Sequence, residues 1–174
     1  MARELQLLRT MASLGYLAVG YWAARSLDSG DGRAGRRLVA FLALSVLPDA
    51  DVIAFVLRIP HGAAFGHRGA THSVAFALAA GALAAALAGW LGLARGRAFA
   101  WGALVVLLHA LADALTDGGL GVALLWPWSE ARFFAPWRPM PVAPIGLRML
   151  SGRGLTAAVG ELAFFAPFLV MGLL

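Results

Sequence analysis

The fold class this chain predicts is an all-α, polytopic membrane bundle of about five helical segments with a broken second helix, forming one domain over residues 1–174. Two observations carry that expectation. The chain is 61% hydrophobic and 13% charged, with a mean hydropathy of +0.79, too little polar residue to clothe a water-soluble globule of 174 residues. The apolar residues are also gathered into five stretches long enough to matter, given that about 20 residues of helix cross a bilayer core.

Those stretches run from Leu5 to Leu27, Leu38 to Leu57, Ala70 to Ala94, Ala98 to Trp126 and Leu155 to Leu174. The first contains Arg9 and is compatible either with a span or with an amphipathic helix at the interface. Pro48 interrupts the second, removing a backbone donor and disfavouring helix at the residues before it, so two half-helices are expected to meet at Pro48-Asp49. The third and fifth are the clearest spans, with His72 and Glu161 as their ionisable groups. Small residues crowd Ala75 to Gly92, which suits close helix packing in lipid. The connections are Asp28 to Arg37, Arg58 to Gly69, Arg95 to Arg97 and the long Pro127 to Gly154. No cleavable signal peptide is expected near Met1, because charges interrupt the first stretch and no small-residue cleavage site closes it.

The net charge of +5 rests on fourteen arginines and no lysine. They lie mostly between apolar runs, which points to topology control and lipid headgroups as partners and away from nucleic acid. The chain has no cysteine, which excludes disulfides and thiolate ligands, so a metal would have to be held by nitrogen and oxygen. Five crossings place His67, His72, His109, Asp113 and Asp117 on one side, with Arg25, Arg33, Arg36, Arg37, Arg95 and Arg97 on the other. The positive-inside tendency then puts the polar groups on the extracytoplasmic face.

Ionisable residues at membrane depth are costly and mark a polar interior, a water-filled cavity or a metal. Three groups of them interrupt this chain. His109, Asp113 and Asp117 recur every four residues, so a helix through them would carry one polar stripe, and an imidazole and a carboxylate one turn apart can chelate a cation. A hydrogen-bonded structural pair is the competing account. Asp49 and Asp51 follow the proline; they can serve a cation directly, serve a ligating histidine, or cap the half-helix from Val52. His67 and His72 flank a turn that opens the third stretch, where Thr71 or Ser73 could cap and Arg68 could snorkel. With the other groups on the same side, at least one of the two histidines is expected to ligate. The linker from Trp126 to Pro139 alternates aromatics, prolines and arginines. It reads either as an interfacial belt or as a place where Arg132 and Arg138 hold a phosphorylated head.

These motifs carry a resemblance. Leu47-Pro48-Asp49-Ala50-Asp51, His67-Arg68-Gly69-Ala70-Thr71-His72-Ser73, His109 to Gly119 read as H-x-x-x-D-x-x-T-x-G-G, and Trp126 to Phe133 read as W-P-x-S-x-x-R-F follow the ordered pattern of the YdjM-like membrane-bound metal-dependent hydrolases. The match covers most of Leu47 to Gly146. The pair His109 and Asp113 is also similar, more distantly, to part of the zinc-dependent phospholipase C site. One departure stands out: the family commonly has T-H-x-x-x-G near the N-terminus, where this chain has Thr10-Met11-Ala12-Ser13-Leu14-Gly15. Met11 cannot replace a histidine for a hard or borderline cation, so that role is vacant or His61 fills it.

The resemblance implies a multi-spanning, metal-dependent hydrolase of the bacterial inner membrane. The expected ligands are Asp49, Asp51, His67, His72, His109 and Asp113, holding one or two divalent ions, zinc before others. Asp117 and Asp51 are the expected catalytic carboxylates, Asp117 as an orienting group or general base. Arg68, Arg132 and Arg138 are expected to bind a phosphoester in a lipid or lipid-linked substrate. The alternatives are an ion- or proton-coupled transporter, a lipid-handling protein without hydrolytic activity, and an assembly protein whose polar groups only pair with one another.

Overall fold

The computed structural model describes residues 15–142 and 151–174. Its order is α1 (Tyr16–Ser26), α2 (Ala34–Val46), a 3-10 turn (Leu47–Val52), α3 (Ile53–Val56), a second 3-10 turn (Ala70–His72), α4 (Val74–Ala86), α5 (Ala88–Leu91), α6 (Arg95–Ala114) and α7 (Gly152–Leu173). The described residues hold two isolated β-bridges, Thr116 with Met140 and Val122 with Phe133, and no strand. This is an all-helical membrane protein. Three helical runs are long and apolar enough to cross a bilayer, Ala34–Val56, Arg95–Ala114 and Gly154–Leu173. Large apolar side chains such as Val56, Leu155, Leu162 and Leu173 lie exposed along them, as lipid-facing positions must.

Local chemistry sets the segment boundaries in the second, third and fourth stretches. Pro48 ends the α-type ladder at Val46, but the chain tightens into a 3-10 turn with the proline near its start, where no N–H is required. The second helix is thus broken at Pro48 as expected, with its two α-helical pieces, Ala34–Val46 and Ile53–Val56, joined by the 3-10 turn. The third stretch is interrupted at Leu87, and α5 stops at Gly92, whose φ of 68° suits glycine. The fourth ends at Ala114 instead of reaching Trp126. There Thr116 Oγ1 donates to the Asp113 carbonyl at 2.8 Å, and Gly119 and Gly121 take φ of 83° and 81°, outside any helix. The first stretch is described from Gly15, and the expectations about Arg9 and Met11 lie outside the described residues.

Helices α4 and α6 pack along each other, α1 lies against α2 and α7, and α2 touches α6. Close approach comes from glycine. A Cβ on Gly102 would sit 2.6 Å from Ala84 Cβ, and one on Gly81 would sit 2.7 Å from the Phe99 carbonyl oxygen. Replacing Gly102 by valine is expected to cost about 1–3 kcal/mol by overpacking, read as a lower thermal midpoint in detergent. Gly96→Val on the same helix, where a Cβ meets nothing within 4 Å, is the control and should melt as the parent does.

At the end of the bundle remote from the histidines, Arg37 is fully buried rather than lying free as a topology signal. Its Nε donates to the Leu91 carbonyl at 2.9 Å and its Nη2 to Asp31 Oδ2 at 2.5 Å, while Nη1 lies 3.5 Å from Asp28 Oδ1. The α1–α2 connection is thereby tied to the end of α5. The hydrogen bond from Arg37 holds the Asp31 carboxyl below the usual carboxylate range.

Candidate metal centre

Three chain segments deliver the polar groups to one buried place. The 3-10 turn supplies Asp49 and Asp51, the turn before α4 supplies His67 and His72, and the last turns of α6 supply His109 and Asp113. Neither aspartate of the 3-10 turn caps a helix: α3 has Val52 at its N-cap, with no side-chain hydrogen bond there. The cap of α4 is Ser73, whose Oγ accepts from Phe76 N at 3.1 Å. Thr71 is thus free for other work, and its hydroxyl donates to Asp51 Oδ2 at 2.6 Å.

Asp49, His72, His109 and Asp113 each place one donor atom within 4.8 Å of the others, and all four residues are buried. His72 Nε2 lies 3.1 Å from Asp113 Oδ2 and 3.8 Å from Asp49 Oδ1, and His109 Nε2 lies 3.6 Å from Asp49 Oδ1 and 4.0 Å from Asp113 Oδ2. Four nitrogen and oxygen ligands around a tetrahedral zinc ion stand roughly 3.4 Å apart, so these separations bracket the required spacing.

Hydrogen bonding shows which atoms are open. His109 Nδ1 is 2.7 Å from the Ser45 carbonyl oxygen, an acceptor only, so Nδ1 carries the proton. His72 Nδ1 is 3.1 Å from Asp51 Oδ2 and 3.0 Å from Thr71 Oγ1, whose own proton goes to Asp51, which assigns its proton to Nδ1 as well. With Nδ1 protonated, each ring turns Nε2 toward the carboxylates. His72 Nε2, His109 Nε2 and Asp113 Oδ2 are buried and have no hydrogen-bond partner; Asp49 faces the two imidazoles through Oδ1, and its Oδ2 is also buried without a partner. Lone pairs of two imidazoles and two carboxylates facing one another in a buried place repel unless something positive lies between them. A proton on His72 Nε2 would relieve one contact and leave the others open. A divalent cation relieves all four, so the residues fit a metal with N2O2 ligation.

Asp51 has a different position. Its Oδ1 accepts from His67 Nδ1 at 2.6 Å, and its Oδ2 accepts from Arg68 N at 2.9 Å as well as from Thr71. It groups with Asp49 and His67 as a second convergence of donor atoms within 4.8 Å, but both its oxygens are already held by protein donors. Its geometry is that of a carboxylate orienting two imidazoles, His67 and His72.

Several expected residues are placed elsewhere than the sequence suggested. The polar stripe of α6 stops at Asp113 because the helix ends at Ala114. Asp117 is exposed, outside both groups, with Oδ1 accepting from Val142 N at 2.8 Å. Arg68 is buried in the protein: Nη2 donates to Asp113 Oδ1 at 2.9 Å, and Nη1 reaches Thr116 Oγ1 at 2.8 Å and the Gly118 carbonyl at 3.0 Å. Arg132 directs its Nη donors to the carbonyls of His61, Ala63, His67, Arg68 and Gly121 at 3.0–3.4 Å. Of the three expected phosphate holders only Arg138 is exposed, with its guanidinium 4.9 Å from the Phe134 ring centroid. His61 is buried with both ring nitrogens unpartnered, its ring 5.5 Å from that of His67 and outside both groups; burial lowers its pKa to about 4, so it is neutral.

A family profile described as YdjM inner membrane protein matches residues 9–174. The chain belongs to the YdjM family. It is also 40% identical over 143 residues to Inner membrane protein YbcI of Escherichia coli (strain K12), covering 80% of this chain and 83% of that protein. No solved structure matches. Within this member of the family, the hydrogen bonds identify residues to which sequence reasoning assigned no role, Ser45, through its carbonyl, Thr116 and Tyr16, and they turn Thr71 from a candidate cap into a donor to Asp51. Tyr16 is the most consequential of these. A phenol within an apolar run needs a partner once buried, and that need was the signal available for finding it.

Proposed function

We propose that this protein is a membrane-bound, metal-dependent hydrolase whose centre is Asp49, His72, His109 and Asp113, acting on a phosphoester in a lipid or lipid-linked substrate from the extracytoplasmic face. The observation that carries the metal reading is the convergence of three buried, unpartnered donor atoms, His72 Nε2, His109 Nε2 and Asp113 Oδ2, with Asp49, whose Oδ1 faces both imidazoles. A bound divalent ion, zinc by the N2O2 chemistry, would polarise the scissile group and make water nucleophilic near neutral pH. The chain's own residues do the rest. Asp51 holds His67 by Nδ1 and leaves its Nε2, which makes no hydrogen bond among the described residues, to take a proton from water. Arg68 neutralises Asp113 and keeps one of its oxygens turned from the centre. A second ion would draw on Asp49, Asp51 and His67, at the expense of the bonds Asp51 makes to Arg68 N and Thr71.

A lipid substrate is supported by the setting, in which the residues of the centre belong to or adjoin apolar helices long enough to cross a bilayer. Of the three arginines expected to hold a phosphate, Arg138 is the exposed one. The test is metal analysis of the purified protein in lipid nanodiscs beside a hydrolysis screen of phospholipids and lipid phosphates. The expected result is a stoichiometric divalent ion and turnover that a chelator abolishes and the ion restores. Tight metal without turnover on any ester, together with ion- or proton-coupled flux in vesicles, would replace the hydrolase with a transporter.

A further inference from the structure

Tyr16 lies outside every motif that brought the other site residues to attention, yet it touches two of the four proposed ligands. Its side chain is 2% exposed. The hydroxyl donates to Asp113 Oδ1 at 2.5 Å, and the ring stacks on His109 with centroids 3.8 Å apart and planes 29° from parallel. Phe165 of α7 meets the same ring edge-on at 5.4 Å, which holds it from behind. Asp113 Oδ1 therefore receives two donors, Tyr16 Oη and Arg68 Nη2, while Asp113 Oδ2 receives none.

We infer that Tyr16 is a positioning residue of the metal centre: with Arg68 it occupies Oδ1 of Asp113, so that Asp113 presents Oδ2 alone, and by stacking it fixes the plane of the His109 ring. The inference rests on the metal reading above. The physical reason is that a carboxylate with both oxygens open chelates a cation through two atoms and competes with its neighbours for coordination positions. One whose first oxygen is held by two hydrogen bonds is restricted to a single direction. Stacking adds a rotational constraint that the Nδ1 bond to the Ser45 carbonyl does not give by itself, since one hydrogen bond leaves the ring free to tilt about it.

Tyr16→Phe keeps the stacked ring and removes only the donor. In the full-length protein in nanodiscs, zinc affinity measured by chelator competition is expected to fall about 10- to 100-fold, the range for removing a partner of a ligand. Cobalt(II) gives a readout that packing alone would not move. With Arg68 Nη2 left as the one donor to Oδ1, Asp113 should shift toward binding through both oxygens, and the visible absorption of the four-coordinate ion should weaken as coordination rises. Tyr21→Phe, which removes a phenol elsewhere on α1, should leave affinity and spectrum unchanged. Phe165→Leu loosens the packing behind Tyr16 while keeping its hydroxyl, and should retain most of the affinity. If Phe165→Leu lost as much affinity as Tyr16→Phe, packing would be responsible and the inference would be wrong. If the parent protein bound zinc tightly and Tyr16→Phe matched it in affinity and cobalt spectrum, the assignment of Tyr16 would fall while the metal reading stood. A parent protein that bound no divalent ion would overturn both.

Discussion

Replacing Asp113 by asparagine is expected to empty the centre while leaving the helices in place. The amide has the shape of the carboxylate, so its oxygen can still accept from Tyr16 and Arg68 at the Oδ1 position. Its nitrogen then stands where Oδ2 was, 3.1 Å from His72 Nε2, and donates a hydrogen bond to a lone pair that otherwise has no partner. The cost to the metal-free protein is the lost charge partner of Arg68, about 1–3 kcal/mol. The cost to metal binding is larger, because an amide nitrogen that carries its hydrogens has no lone pair to give. A loss on the order of 100-fold or more in affinity is expected, at or beyond the upper end of what removing an outer partner does. Elemental analysis and calorimetric titration of the purified variant would measure it. A folded Asp113→Asn protein with the parent's metal content would end the ligand assignment and favour a structural or ion-coupled role for the cluster.

Replacing Arg132 by alanine is expected to have the largest effect on stability. Its guanidinium gathers carbonyls of His61, Ala63, His67, Arg68 and Gly121, so one side chain holds the loop before α4 to the segment after α6. Hydrogen bonds from a charged donor are worth about 1.5–3 kcal/mol each, but they do not add, and Arg132 is part-exposed, so water replaces some of them. A net loss of about 3 kcal/mol is expected, read as a lower thermal midpoint in mild detergent. Proteolysis within residues 58–69 should become faster. Arg132→Lys keeps the charge but not the planar fork, and should recover only part of the loss. Full recovery by lysine would mean that charge alone holds the loop.

The polar groups that make the centre were legible as groups because each violates its surroundings. Asp49 and Asp51 beside a proline, His67 and His72 at the mouth of an apolar run, and His109 four residues before Asp113 have no cheap explanation in lipid. Their convergence followed from helix parity. The spacing rule failed at Asp117, because it assumes that the helix continues; Thr116 and the two glycines that leave the helical region stop it first. The arginines were harder to read. A guanidinium at the end of an apolar run looks the same in sequence whether it meets a lipid phosphate, as expected for Arg68 and Arg132, or the protein's own carbonyls and carboxylates, as the structure has it.

What the amino-acid sequence determined by itself was the membrane class, the apolar runs and the inventory of candidate ligands, because these depend on composition and on local spacing along one helix. What only the tertiary structure decided was the job of each polar atom. Asp49 and Asp113 face His72 and His109 with open donor atoms, whereas Asp51 has both oxygens held by neighbours. Tyr16 enters the site from a helix 97 residues away in sequence from its partner Asp113. Such partnerships are set by which helices pack together and at what rotation, and neither quantity is encoded in the periodicity of a single segment.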